Sequence, residues 1–523
     1  MPKSSLPKVV VIGAGIGGLT AGALLAKRGY EVTIFDRAIV PGGCASTFKR
    51  KGFTFDVGAT QVAGLEPGGI HHRIFSELEI ELPPATPCDP ACAVFLPGET
   101  MPINVWCDPL RWQAERQQQF PGSEPFWHFL QQLFAASWQF QSRDPILPPR
   151  NLWDITQLVG ALRLDTLITV PFTLSTVGDA LKWFGLSGDK RLQTFLDLQL
   201  KLYSQVTAAD TALLYAATAL GVSQTPQGLY HLQGSMQVLS DRLVASLERD
   251  GGKLLMRHTV EAIECDEAGV TGVTIRNQKT GANYTETAAE VVANVTAQDL
   301  VRLLGDAAPK SNPIPLLSLA KPLPWSIDGY RSRVKTLPQA SGAFVVYLGV
   351  KQSAIPAECP PHLQFLYDYD GIIGENNSLF VSVSHAGDGR APEGNATIIA
   401  SSFVDPNKWY GEGVDYAAMK AEYTATAIAK LGEYFDLSPE NIIVTEAGTP
   451  RTFEYYTGRD RGIVGGIGQR VSTFGPFGFA TRIPVAGLWM VGDSTHPGEG
   501  TAGVSYSALT VVRQIEQEVG RKE

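Results

Sequence analysis

Apolar positions follow two periods along the chain, and each marks a different kind of element. The run KVVVI at 8–12 is apolar almost throughout and rich in β-branched residues, which predicts a strand buried on both faces. It passes directly into Gly13-Ala14-Gly15-Ile16-Gly17-Gly18 and a small-residue apolar stretch that predicts a helix closed by Gly29. A second strand is expected over 31–35, ending at Asp36. The other end of the chain repeats this order: a buried strand in GLWMV (487–491), then Gly492-Asp493, a glycine loop, and a helix over 505–517. Between them, 125–138 carries apolar residues at i, i+3, i+4, i+7 and i+8 with Gln and Ser opposite, and 234–252 reads as a helix with a glycine stop. One strand is expected over 253–263 and a return strand over 289–295. Four strand candidates, 342–349, 363–367, 378–384 and 396–403, precede a helix over 414–435.

The chain has 523 residues, 44% hydrophobic and 18% charged, with 53 Gly and 34 Pro. It is therefore a folded globular protein with room for two or three domains, neither disordered nor collagenous. The balance of 43 basic and 52 acidic residues, a net charge of -9, gives no electrostatic footprint for nucleic acid. Six scattered cysteines suit a reducing compartment, and the Cys88 and Cys92 pair has no zinc-like partners, so no metal is expected. The N-terminus lacks the pattern of a signal peptide, and the longest uncharged apolar stretches, 166–178 and 211–223, fall short of the ~20 residues that span a bilayer. A cytoplasmic location is the expectation.

The N-terminal glycine motif carries specific chemistry because of its context. Strand before, helix after, and a carboxylate eighteen residues past Gly18 match a dinucleotide site. There the first glycine makes the turn, the second admits a pyrophosphate, the third packs helix on strand, and Asp36 holds the adenosine ribose. A further glycine turn follows at once in Pro41-Gly42-Gly43-Cys44, after Arg37, and Gly52-Phe53-Thr54-Phe55-Asp56 supplies another short strand. The glycines of 462–468 lack a clear strand before and a helix after, so no second dinucleotide site is expected.

From Pro41-Gly42-Gly43 onward the sequence resembles the FAD-binding domain shared by amine oxidases, phytoene desaturases and carotenoid isomerases. The phrases at 43–48, 53–61, 477–482 and 492–498 are most similar to carotenoid desaturases and isomerases, nearest the cyanobacterial-type C-3′,4′-desaturases. The resemblance implies an α/β chain with a Rossmann-type, glutathione-reductase-like FAD domain (1–75, 225–300 and 455–523) and a discontinuous α+β substrate domain (76–224 and 301–454). It implies non-covalent FAD held by Gly13, Gly15, Ile16, Gly17, Gly18, Asp36, Arg37, Gly42, Gly43 and Cys44. Val260 would face the adenine, Gly492 and Asp493 the ribityl or pyrophosphate, and Thr501, Ala502, Gly503 and Val504 would put a helix N-terminus beside the flavin.

The implied reaction is desaturation of a carotene end region. A hydride passes to the flavin, the cation is delocalised along the polyene, and oxygen or a quinone reoxidises the cofactor. No protein acid or base is then required. His496 is the titratable group that the motif brings near the flavin ring, where it would take the proton or steady the reduced flavin, or else serve only as a loop histidine bonded to backbone, which is the reading preferred; Asp56 and Glu499 read as solvated or capping carboxylates. Aromatic, weakly charged helices between 125 and 184 suggest monotopic attachment to a membrane surface that holds the apolar substrate. Three other readings share the scaffold: a cis–trans isomerase using reduced FAD, an amine oxidase with Tyr455 and Tyr456 as half of an aromatic cage, and a non-catalytic lipid binder like the GDP-dissociation inhibitors.

Overall fold

The computed structural model of the protein describes residues 6–226, 228–305 and 326–522. The first five residues, on which the signal-peptide reading bears, and residues 306–325 of the second substrate-domain segment lie outside them. Strands Lys8–Ile12, Glu31–Asp36, Lys253–Met256, Glu290–Ala293 and Leu488–Met490 form one parallel sheet, ordered Leu488–Met490, Glu290–Ala293, Lys8–Ile12, Glu31–Asp36, Lys253–Met256. Because successive side chains point to opposite faces, this sheet has two cores. Val9, Val11, Val32 and Ile34 pack under the helices Ile16–Lys27, Gln237–Arg249 and Thr501–Lys522. Val10, Ile12, Phe35 and Val291 pack under the helix Ala297–Leu304 and a three-stranded antiparallel sheet.

The strand expected over 253–263 is two strands in two sheets. Arg257 adopts a left-handed conformation (φ 62°), which turns the chain after Met256. Lys253–Met256 then extends the parallel sheet, while His258–Asp266 pairs with Gly269–Asn277.

The second large sheet has seven strands and is mixed. Ile442–Gly448, Gly342–Lys351, Asn395–Val404, Ser378–Val383 and His362–Leu366 run antiparallel in that order, and the last pairs in parallel with Cys92–Phe95, which is followed by Ile103–Val105. The substrate-domain segment 76–224, for which the sequence predicts helices, thus donates two strands to this sheet. Helix Tyr416–Leu431 covers one face through Ala427 and Leu431, and Trp409 from the turn Pro406–Trp409 packs beside it.

The helix Glu124–Gln141 turns its aromatic face inward. Phe126, Trp127, Leu130 and Leu133 are buried against Trp112 and Phe195, so this stretch is core packing and takes no part in a membrane-facing surface. The exposed apolar residues of the region belong instead to 152–183 and include Leu152 at 79%, Val159 at 59% and Leu164 at 89% exposure.

A buried ionic cluster joins the short strands Phe53–Asp56 and Tyr230–Leu232 to the loop between Ser378–Val383 and Asn395–Val404. Arg390 donates to Asp56 Oδ2 through Nε (3.1 Å) and Nη2 (3.0 Å), and through Nη1 to Asp388 Oδ2 (3.0 Å) and the Leu232 carbonyl (2.8 Å). Asp56 also accepts the Met236 N–H (2.8 Å), and Asp388 pairs with His231 (3.0 Å). Asp56, read as a solvated or capping carboxylate, is therefore fully enclosed; its partner Arg390 lies 334 residues away.

Candidate functional site

A cleft of about 970 Å³ runs along the carboxyl ends of the parallel strands. Its floor is the turn between Lys8–Ile12 and Ile16–Lys27, where the N-cap Gly15 makes no side-chain capping bond and leaves first-turn N–H groups without one. Gly13 has φ +95°, and a Cβ there would sit 2.7 Å from the Asn294 carbonyl oxygen. Gly492, at φ +109°, meets the same residue, since its Cβ would lie 2.9 Å from Asn294 Oδ1. Asn294 follows the strand Glu290–Ala293 and donates to the Gly13 carbonyl (3.4 Å), so one side chain packs the N-terminal turn against the C-terminal loop. A single asparagine after a strand carries no motif, and it escaped the sequence reading.

Asp36 lies at the end of its strand and lines the cleft. Its carboxylate accepts the N–H groups of Ala14 (2.6 Å) and Ala38 (2.7 Å), which ties it to the glycine turn. Burial pushes its pKa up, and the two N–H donors and Arg37 pull against that shift. Arg37, Gly42, Gly43, Cys44, Val260 and Val504 line the same cleft, and burial raises the Cys44 thiol. Gly18 lies behind the turn, where a Cβ would collide with the Gly13 carbonyl, so its role is packing. Asp493 faces the cleft and accepts from Arg459 Nη2 (2.6 Å); Arg459 also donates to the Gly465 carbonyl (2.7 Å).

A second cavity, about 520 Å³, adjoins the cleft, and the two share Cys44, Ala59, Phe453, Gly465, Glu499, Gly500 and Thr501. Its walls are Leu198, Leu202, Tyr203, Tyr215 and Val222 from the helical insert, and Val345, Phe380 and Phe403 from the seven-stranded sheet. Ala502 and Gly503 line this cavity and not the nucleotide cleft, whereas Thr501 lines both.

Two titratable residues of this region have different places. His496 lines neither space: it is 6% exposed, packs on Phe474 (5.5 Å) and shares a hydrogen bond with Gln141 (3.2 Å). Burial lowers its pKa to about 4, which leaves the ring neutral. Glu499, by contrast, stands where the two spaces meet, and its Oε1 is buried. Tyr455 and Tyr456 are 70% and 46% exposed and line no part of the apolar cavity, so they form no cage there.

The arrangement fits a dinucleotide. Its glycine cradle has no room for a Cβ at Gly13, it faces N–H groups without a side-chain cap, and Arg37 Nε is buried beside it with no partner. A family model described as an NAD(P)-binding Rossmann-like domain matches residues 11–78. Prolycopene isomerase 2 from an Oncidium hybrid cultivar is 25% identical, across 98% of this chain and 84% of that protein. The neurosporene-forming phytoene desaturase of Rhodobacter capsulatus is 26% identical, across 97% and 94%. Among solved structures, an oxidoreductase from Methanosarcina mazei aligns with a TM-score of 0.64 at 17% identity, covering 97% of this chain and 100% of that one. Cyclohexylamine oxidase from Brevibacterium oxydans aligns at 0.59 with 17% identity, across 98% and 99%, which is a likeness of fold.

Proposed function

We propose that this chain, which belongs with the carotenoid isomerases and desaturases, is an FAD-dependent oxidoreductase that desaturates a carotene end region at C-3′,4′. The observation that carries the reading is the union of an apolar-walled cavity with a dinucleotide cleft through Cys44, Gly465, Glu499 and Thr501. Gly13, Gly15, Asp36, Arg37, Val260 and Asp493 would hold the FAD without a covalent bond, since the C-terminal loop has no cysteine to form one. When bound, FAD supplies the acceptor for the hydride. The protein holds a rigid hydrocarbon in a mostly apolar cavity whose end abuts the cleft, and placement of this kind accounts for much of a rate. Oxygen or a quinone is the final acceptor in this reading.

Under anaerobic conditions, oxidised enzyme given a panel of carotenes should bleach its flavin once and yield a carotenoid absorbing at longer wavelength. A second reading, cis–trans isomerisation, is favoured by the likeness to prolycopene isomerases. The same assay separates the two, because an isomerase would convert a cis carotene only after its flavin had been reduced.

Asp36→Ala should weaken FAD retention, because a charge-assisted hydrogen bond contributes roughly 1.5–3 kcal/mol. Wild-type retention should also weaken as pH falls, since only the ionised Asp36 accepts two bonds and burial makes its protonation easier. Flavin absorbance after gel filtration measures both, and full occupancy in the variant would refute the role.

The substrate's solubility calls for a membrane surface, and the exposed apolar residues of 152–183 are the place for it. No single helix among the described residues is long and apolar enough to cross a membrane. Helix Thr501–Lys522 links this region to the cavity: Tyr506 lines the cavity and donates to the Pro145 carbonyl (3.0 Å), while Gln514 donates to Asp154 (3.1 Å). Wild-type protein should float with liposomes. The triple variant Leu152→Ser, Val159→Ser, Leu164→Ser should remain at the bottom, since burying each such side chain is worth roughly 1.5–3 kcal/mol. Equal flotation of the two proteins would move the contact elsewhere.

A further inference from the structure

We propose that Glu499 is a catalytic residue, the proton acceptor for the substrate at the junction of the apolar cavity and the nucleotide cleft. This role rests on the desaturase reading above and replaces the expectation that no protein base is needed.

The geometry around Glu499 is built from three distant segments. Its Oε2 accepts from Gln205 Nε2 (3.1 Å), while its Oε1 is buried and has no hydrogen-bond partner. Gln205 ends the helix Lys190–Ser204 with φ 65°, a left-handed conformation uncommon outside glycine, and this turn aims its amide at the carboxylate. Gly465 packs against this hydrogen bond, where a Cβ would overlap Glu499 Oε2 and fall 2.5 Å from Gln205 Nε2. The carboxylate is thus fixed through Oε2, and Oε1 is left for another proton donor. An orphaned acceptor on the wall of an apolar cavity is costly unless a ligand or proton uses it.

Lys201 from the Gln205 helix, Tyr215 from the neighbouring helix, and Arg459 and Asp493 from the cofactor side face this group. Lys201 itself donates to the Gln205 carbonyl (2.9 Å). Burial is the largest influence and pushes Glu499 up to about 8; the Gln205 bond opposes it, Asp493 reinforces it, and Arg459 and Lys201 oppose it. A base with affinity for a proton near working pH suits general base catalysis.

The step balances within the proposed reaction. After the substrate gives up a hydride, the C–H bond beside the cationic carbon breaks and its electron pair becomes the new double bond. The proton passes to the Glu499 carboxylate, which becomes neutral and releases it before the next turnover. FAD is the oxidant, itself reoxidised by oxygen or a quinone. The ionised form does the work, so kcat/KM should rise with pH through about 8.

The test compares wild type, Glu499→Gln and Glu499→Asp as flavin-loaded proteins. Glutamine keeps the shape and a carbonyl for Gln205, so flavin content should be unchanged while kcat/KM falls by ~10²-fold or more and the rise with pH disappears. Aspartate should restore part of the rate along with a pH-dependent rise at a shifted midpoint, an outcome that a purely structural role does not produce. Independently of turnover, infrared titration of resting wild type should show a protonated carboxylic acid band that vanishes near pH 8 and is missing from Glu499→Gln. Turnover and pH dependence in Glu499→Gln equal to those of an active wild type overturn the role alone, as does an infrared band that persists in that variant. A wild type that bleaches its flavin with no carotene of the panel overturns the desaturase reading and this role with it.

Discussion

Ala502→Phe is expected to abolish carotenoid turnover while leaving FAD bound. Ala502 lies in the first turn of the helix Thr501–Lys522 and lines the apolar cavity, but it is not part of the nucleotide cleft. Its neighbour Thr501 lines both spaces, so a phenyl ring at position 502 would enter the cavity at the end nearest the cofactor. A cavity of about 520 Å³ cannot take both that ring and the end of a rigid polyene in the same place. Displacing a reacting carbon by even ~1 Å can cost about 100-fold in rate, and exclusion costs more. The measurement is one anaerobic turnover: flavin absorbance at wild-type occupancy, with no bleaching on addition of a carotene that bleaches wild type. Bleaching at the wild-type rate would show that the reacting carbon lies elsewhere.

The second large effect concerns stability. Arg390→Met should cost roughly 3–5 kcal/mol, because it leaves Asp56 and Asp388 in a closed interior without their guanidinium. Arg390 is 2% exposed and Asp56 1%, so water cannot replace the lost donors. The same guanidinium joins strand Phe53–Asp56, the Leu232 carbonyl and the loop carrying Asp388, so its loss should also loosen the contact among these three segments. The expected result is a lower denaturant midpoint and faster flavin loss on dilution. Adding Asp56→Leu to Arg390→Met should recover part of the stability, since removing both members of a buried pair is less damaging than removing one. A double variant that is additively worse would argue against this pair as the source of the effect.

The parts of the site that were legible in the sequence are those whose elements are contiguous. Strand, glycine turn and helix at 8–27 occupy one short stretch, and a backbone that must turn sharply with φ +95° at Gly13 leaves glycine as its record. The Gly492-Asp493 turn is readable for the same reason. Asn294 is not, because its use depends on Gly13, 281 residues earlier in the chain. Nor is Arg459, whose pairing with Asp493 has no spacing rule. His496 shows a limit of the motif. The motif places its backbone near the site, yet the ring turns toward Gln141 and Phe474, a choice made by the helix Glu124–Gln141. Helical periodicity also identified the apolar face at 125–138 without saying what covers it, and that face meets Trp112 and Phe195 instead of a membrane.

By itself, then, the amino-acid sequence determined the elements, the α/β class and the dinucleotide turn, since each follows from local backbone preferences and the side-chain period of strand or helix. Only the tertiary structure decided which charged groups lose their water. Glu499 and Asp56 are both acidic residues in glycine-rich surroundings, and nothing local distinguishes them from solvated carboxylates. The first is held by Gln205, 294 residues away, at the edge of a cavity; the second is neutralised by Arg390, 334 residues away, in a closed interior. Desolvation is a property of everything that surrounds a group, and those surroundings form only when the segments meet.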